Sequence, residues 1–224
     1  MEDLVLDSWQ LSTSTDQRAL VIPDGCRDII FSRQQNNAWQ IYISPLAESV
    51  CRIPISAGTR KVGFRLQPGV VLNETKLRAE LTRLSQDISR SVENQAAVPD
   101  GLADALEEWC ALPPALAEAM GKLKEPMTTV SGVARHLGIS VRRLQRLVKN
   151  GTGRSPVYWI QLARVRGAAR SVASYPSLAD LAGNHGYADQ AHMTRAFRKW
   201  LDVTPSTLKQ GSDRFIQLHQ SGYG

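Results

Sequence analysis

The chain has 224 residues, 42% of them hydrophobic and 21% charged, with a formal net charge of +6, which is an ordinary globular composition and excludes a disordered or fibrous chain. An acidic start (Glu2, Asp3, Asp7) and the lack of any apolar run near about 18 residues speak against a secretory signal or a membrane span, so a cytoplasmic location is expected. Cys26, Cys51 and Cys110 are odd in number and contain no CxxC pair, which excludes a disulfide framework or a zinc site read from spacing.

In chain order, the first 70 residues read as strands. Ala19–Ile22 is apolar, Pro23-Asp24-Gly25 is turn chemistry, and Ile29-Ile30-Phe31 is again apolar and β-prone. Trp39, Ile41 and Ile43 alternate with polar neighbours, as do Val62, Phe64 and Leu66 before Pro68-Gly69. The period then changes. Leu77, Leu81, Leu84 and Ile88 share one helical face. Leu102, Ala105, Leu106 and Trp109 mark a second helix stopped by Pro113-Pro114, and Leu116, Met120 and Leu123 a third. The predicted fold class is α+β: a small, partly β N-terminal domain over residues 1–98, a helical connector over 99–124, and an all-α domain over 125–224.

The two halves differ in charge. Residues 1–120 carry 11 Lys and Arg against 16 Asp and Glu, whereas residues 121–224 carry 16 against 5, a balance of +11. A half that basic attracts a polyanion, of which nucleic acid is the commonest inside cells, an anionic membrane surface being the other partner such a charge would draw. The same half repeats itself. Val130, Val133, Ala134 and Gly138 recur 48 residues later as Leu178, Leu181, Ala182 and Gly186. Ser140, Leu144, Arg146, Leu147 and Val148 recur 49 residues later as Asp189, Met193, Arg195, Ala196 and Phe197.

Each copy reads as a short helix, a glycine turn, a capping residue (Ser140 or Asp189) and a second helix, which is the order of a helix-turn-helix. The second helix of the first copy leaves Arg142, Gln145, Arg146 and Lys149 on its free face, a set that can fork onto guanine, bind adenine edges and pair with phosphates. The second copy offers Gln190, His192, Thr194, Arg195 and Arg198. Taken alone, such side chains more often solvate an exposed helix; two copies, two caps and a basic half point instead to double-stranded DNA. Between the copies, Pro156 opens a helix reaching about Ser171, on the order of 24 Å long. Trp159, Leu162, Val165 and Ala169 are expected inward on it, and Arg164, Arg166 and Arg170 mostly outward.

These residues resemble the AraC/XylS family of transcription regulators, whose DNA-binding domain joins two helix-turn-helix units by a long helix. The resemblance covers roughly residues 125–210 and rests on Val133-Ala134 to Gly138, Leu144-Gln145-Arg146-Leu147, Thr152-Gly153-Arg154-Ser155-Pro156, Gly186-Tyr187, Arg195 to Lys199 and Val203-Thr204-Pro205. The chain departs from the family pattern at Val148, Ala191, Met193 and Asp202. Pro23-Asp24-Gly25-Cys26-Arg27-Asp28 and residues 63–69 look like motifs of a short domain that precedes some members. The resemblance implies sequence-specific binding near promoters, with activation the commoner mode. It also implies RNA polymerase as a partner and an N-terminal domain that senses a small-molecule effector or mediates homodimerisation; no cofactor, metal or membrane is expected.

Other chemistries have thinner support. Cys26 beside Arg27 suggests an activated thiol, but residues 1–120 hold no histidine to act as base, and the stretch reads more simply as a turn. An alkyl-acceptor repair protein of the Ada type shares this kind of DNA-binding domain, yet its cysteine-rich metal site is missing from the sequence. His136, His185, His192 and His219 have no second ligand at i+3 or i+4, so neither an enzyme nor a metal protein is expected. The competing reading is an architectural or weakly specific DNA-binding protein, since a basic surface alone gives non-specific affinity.

Overall fold

A computed structural model describes residues 4–35, 37–84, 99–211 and 218–224. They divide into two compact units, one built from the described residues within 1–19, 26–46 and 52–113, the other from those within 20–25, 47–51 and 114–224.

The first unit is a four-stranded antiparallel sheet with two helices on one face. The strands are β1 (Val5–Ser12), β3 (Asp28–Gln34), β4 (Gln40–Ile43) and β6 (Thr59–Leu66), in the order β1-β6-β3-β4. Register explains the core. Ile29 lies opposite Phe64 and Ile43, and Phe31 opposite Val62 and Ile41, so the alternating apolar residues of three strands fall on one face. Leu77 and Leu81 of α1 (Glu74–Arg83) and Leu102, Ala105 and Leu106 of α2 (Asp100–Trp109) close over them. Phe31 and Phe64 meet edge to face at 5.9 Å. Gly63 on β6 has no room for a Cβ because the Trp9 indole of β1 lies across it. That indole donates from Nε1 to Asp28 at 3.2 Å, and Arg65 pairs with the same carboxylate at 3.1 Å.

The remaining strands are short. β2 (Gln17–Val21) pairs with β5 (Cys51–Ile55), and β7 (Val71–Leu72) with β8 (Cys110–Ala111). The strands expected around Ala19, Ile29, Ile41 and Phe64 are all present. β1 and β5 were not anticipated. α1 ends at Arg83 with Leu84 as its C-cap; Ile88, expected on the same helix, lies outside the described residues.

From residue 114 onward the second unit's described elements are helices: α3 (Pro114–Leu123), α4 (Val130–His136), α5 (Val141–Thr152), α6 (Pro156–Arg170), a 3-10 turn at Val172–Ser174, α7 (Leu178–Asn184), α8 (Gln190–Leu201) and α9 (Pro205–Lys209). Pro156 and Pro205 sit in the first turns of α6 and α9, where the missing N–H costs nothing. The connector expected over 99–124 is not one piece. α2 packs into the sheet's core and α3 into the helical unit, with Pro113-Pro114 between them.

One expectation about α6 fails. Arg166 is 0% exposed rather than outward, and it shares the buried side of α6 with Trp159, Leu162, Val165 and Ala169. Periodicity classes an arginine as outward because it knows nothing of acceptors supplied from elsewhere in the chain. Nη1 of Arg166 donates to the Pro23 carbonyl and Nη2 to the Gln220 carbonyl, both at 3.3 Å.

Candidate nucleic-acid interface

The sequence repeat is a structural repeat down to single hydrogen bonds. Helix α4 is capped by Thr129, whose hydroxyl accepts the Gly132 amide at 3.0 Å, and α7 by Ser177, whose hydroxyl accepts the Ala179 amide at 3.1 Å. Gly138 (φ 64°) and Gly186 (φ 71°) end them in the left-handed region. In each turn the next amide returns to the helix: Ile139 N–H donates to Ala134 O at 3.0 Å and Tyr187 N–H to Ala182 O at 2.9 Å, the closing bond of a Schellman motif.

The second helices start alike. Ser140 Oγ accepts the Arg143 amide at 3.2 Å, and Asp189 Oδ1 accepts the His192 amide at 2.6 Å. They end alike too, at Gly153 (φ 72°) and Asp202 (φ 51°), whose amides donate to Lys149 O and Arg198 O. Leu144 and Val148 of α5 are fully buried, as are Met193 and Phe197 of α8 at the equivalent positions.

What remains exposed follows from 100° per residue. On α5, Arg142, Gln145, Arg146 and Lys149 are all exposed on the side opposite Leu144 and Val148. On α8, Gln190, His192, Arg195 and Arg198 are exposed. Arg146 and Arg195 occupy the same position in their helices. Thr194 differs from the rest: it is half-buried at the edge of the apolar stripe, and its hydroxyl donates to the Gln190 carbonyl at 2.9 Å. The His192 ring folds back toward its own turn, with Nδ1 at 3.5 Å from the Ala188 amide and the ring edge-on to Tyr187.

Three exposed polar side chains of these helices lay outside the expectation: Arg143 and Asn150 beside the α5 face, and Lys199, the equivalent of Asn150, beside the α8 face. A helical wheel aligned on Met193 and Phe197 finds Lys199, whose ammonium lies over the Trp200 ring at 5.3 Å.

The candidates for other chemistry stay apart. Cys26 is buried, and burial pushes the Cys110 thiol up to about 11. Among the described residues no group of three His, Cys, Asp or Glu could hold a metal, and no helix is long and apolar enough to cross a membrane.

Residues 133–211 match a family model described as a helix-turn-helix domain. The HTH-type transcriptional activator RhaS of Escherichia coli is 31% identical over 86 residues, which is 38% of this chain and 31% of RhaS. The chain thus spans under a third of the length of the curated relatives it matches. Among solved structures, the C-terminal domain of AraT from Geobacillus stearothermophilus aligns with 45% of this chain and 88% of its own, at 24% identity and a TM-score of 0.41. ToxT from Vibrio cholerae aligns with 95% of this chain and 100% of its own, at 10% identity and a TM-score of 0.41. Over the region that carries its two repeated units, the chain is thus similar to helix-turn-helix domains, that of the transcriptional activator RhaS among them.

Proposed function

We propose that the chain is a sequence-specific, double-stranded DNA-binding transcription regulator that lays α5 and α8 in successive major grooves near promoters. The observation that carries this reading is the equivalence of Arg146 and Arg195: each stands opposite its helix's buried face, on a helix capped and terminated in the same way. An exposed arginine at that place can fork onto O6 and N7 of guanine. The surrounding charge of +11 over residues 121–224 supplies phosphate affinity. Residues 142, 145, 146 and 149 read one half-site, and residues 190, 192, 194, 195 and 198 the other. RhaS is named a transcriptional activator, which favours activation here, with RNA polymerase as partner. The N-terminal half controls the activity through a small-molecule effector or a second copy of the chain.

Selection of binding sites from random duplex by the purified full chain tests the reading. An asymmetric bipartite site with halves about one helical turn apart is expected. If unrelated duplex displaces the selected site as well as the site itself does, the architectural reading replaces this one.

A further inference from the structure

The helical unit is not made of the C-terminal half of the chain alone; residues 20–25 and 47–51 belong to it. The first segment lies along the middle of α6. Gly25, at φ +76°, has Tyr223, Trp159 and Leu162 so close that a Cβ would stand 2.7, 2.9 and 3.1 Å from them. Asp24 accepts the Tyr223 amide through its carbonyl at 2.7 Å, and the Tyr223 hydroxyl donates to Met120 O at 2.8 Å. The Pro23 carbonyl is an acceptor for the buried Arg166 guanidinium. A guanidinium keeps its charge at any physiological pH and offers five donors, so burying it requires acceptors held in place.

The second segment meets the start of α6 and the turn that joins it to α5. Glu48 pairs with Arg154, just beyond the end of α5. Ala47 O accepts the Tyr158 hydroxyl at 3.4 Å. The Tyr158 ring in turn packs on Trp200 of α8, with centroids 5.1 Å apart. Both segments are strand connections. Residues 20–25 run from the end of β2 to within three residues of β3, and residues 47–51 bridge β4 to β5.

Resting on the DNA-binding reading above, we propose that these two connections are the elements through which the N-terminal half sets the placement of both recognition helices, residues 20–25 by bracing α6 at Arg166 and residues 47–48 by tying the end of α5 to Trp200 of α8. A change at the strand ends is thereby delivered to the helix that spaces the two half-site readers. Removing residues 1–113 removes part of the DNA-binding unit itself.

The test uses full-length variants, with hydrogen exchange read over residues 156–170 and 59–66 and affinity read on the selected duplex. Gly25→Ala is expected to speed exchange over 156–170 at least tenfold, to leave 59–66 unchanged, and to weaken the duplex at least fivefold. Arg146→Ala should weaken the duplex with no change in exchange. Tyr158→Phe keeps the ring and removes only the bond to Ala47; a twofold or greater loss of affinity is expected, and it carries the test alone if Gly25→Ala does not fold. Wild-type exchange over 156–170 in Gly25→Ala overturns the brace. Wild-type affinity in both Gly25→Ala and Tyr158→Phe overturns the control of DNA binding. A wild-type chain with no preferred duplex is the failure of the DNA reading instead, and the exchange measurement still decides the brace.

Discussion

Ser140 and Asp189 stand 49 residues apart and perform one task, each accepting the amide three residues ahead and so fixing where a recognition helix begins. The shorter, charged bond at Asp189 also places a carboxylate at the positive end of α8. Alanine at either position should cost about 1 kcal/mol of stability, measured by urea unfolding. Because each cap serves one helix, the loss of affinity at sub-saturating protein should be larger for duplexes altered in the half-site that helix reads.

Arg146→Ala and Arg195→Ala should each relax sequence preference in one half-site only, at a cost of about 1–3 kcal/mol if the side chain forks onto guanine. Lys149→Ala should weaken all sequences alike and reduce the salt slope of binding by about one, as for a lost phosphate contact. Titrations against systematically mutated duplexes at several salt concentrations distinguish these outcomes. Uniform weakening by both arginine variants would show that neither helix reads bases.

The two turn glycines should respond differently to alanine. At Gly138 a Cβ meets nothing within 4 Å, so only the left-handed backbone is penalised, by about 1–2 kcal/mol. At Gly186 the same penalty is joined by a Cβ 2.8 Å from Met127 Sδ. Thermal unfolding of both variants should rank Gly186→Ala as the less stable, with Gly186→Ala/Met127→Ala restored toward Gly138→Ala.

His185 lends the domain a pH dependence whose sign is set by burial. Its pKa lies below the ordinary histidine value because the ring is partly withdrawn from water. Nε2 and the Ser171 hydroxyl are 2.8 Å apart, and Tyr175 meets the ring edge-on. Lys124, Glu125 and Arg164 face the same cavity of about 190 Å3. A base whose folded pKa is depressed favours the folded state when neutral. Its contribution is therefore complete above the unfolded value of about 6.5 and is lost as pH falls below it. Unfolding midpoints should decline between pH 7 and 5, and His185→Gln should flatten that decline; an equal decline in the variant would place the effect elsewhere.

Much of the geometry of the candidate interface was legible because its determinants are local. A cap acts over three residues, a turn glycine over one, and a helical face over four, so Ser140, Asp189, Gly138, Gly186 and the arginines of α5 and α8 follow from spacing and residue type. The sheet's core strands were legible for the same reason, through the alternation of Ile29, Phe31, Val62 and Phe64. The bond of the Thr194 hydroxyl to the Gln190 carbonyl was not legible, since residue type names a hydroxyl but not its partner. What only the tertiary structure decided depends on partners far apart in the chain. Gly63 is a glycine because of Trp9, and Arg166 is buried because Pro23 and Gln220, 143 and 54 residues away, bring carbonyls to it. No periodicity encodes such partners: a buried charge is tolerable only where the fold has gathered its acceptors, and that gathering is a property of the closed chain.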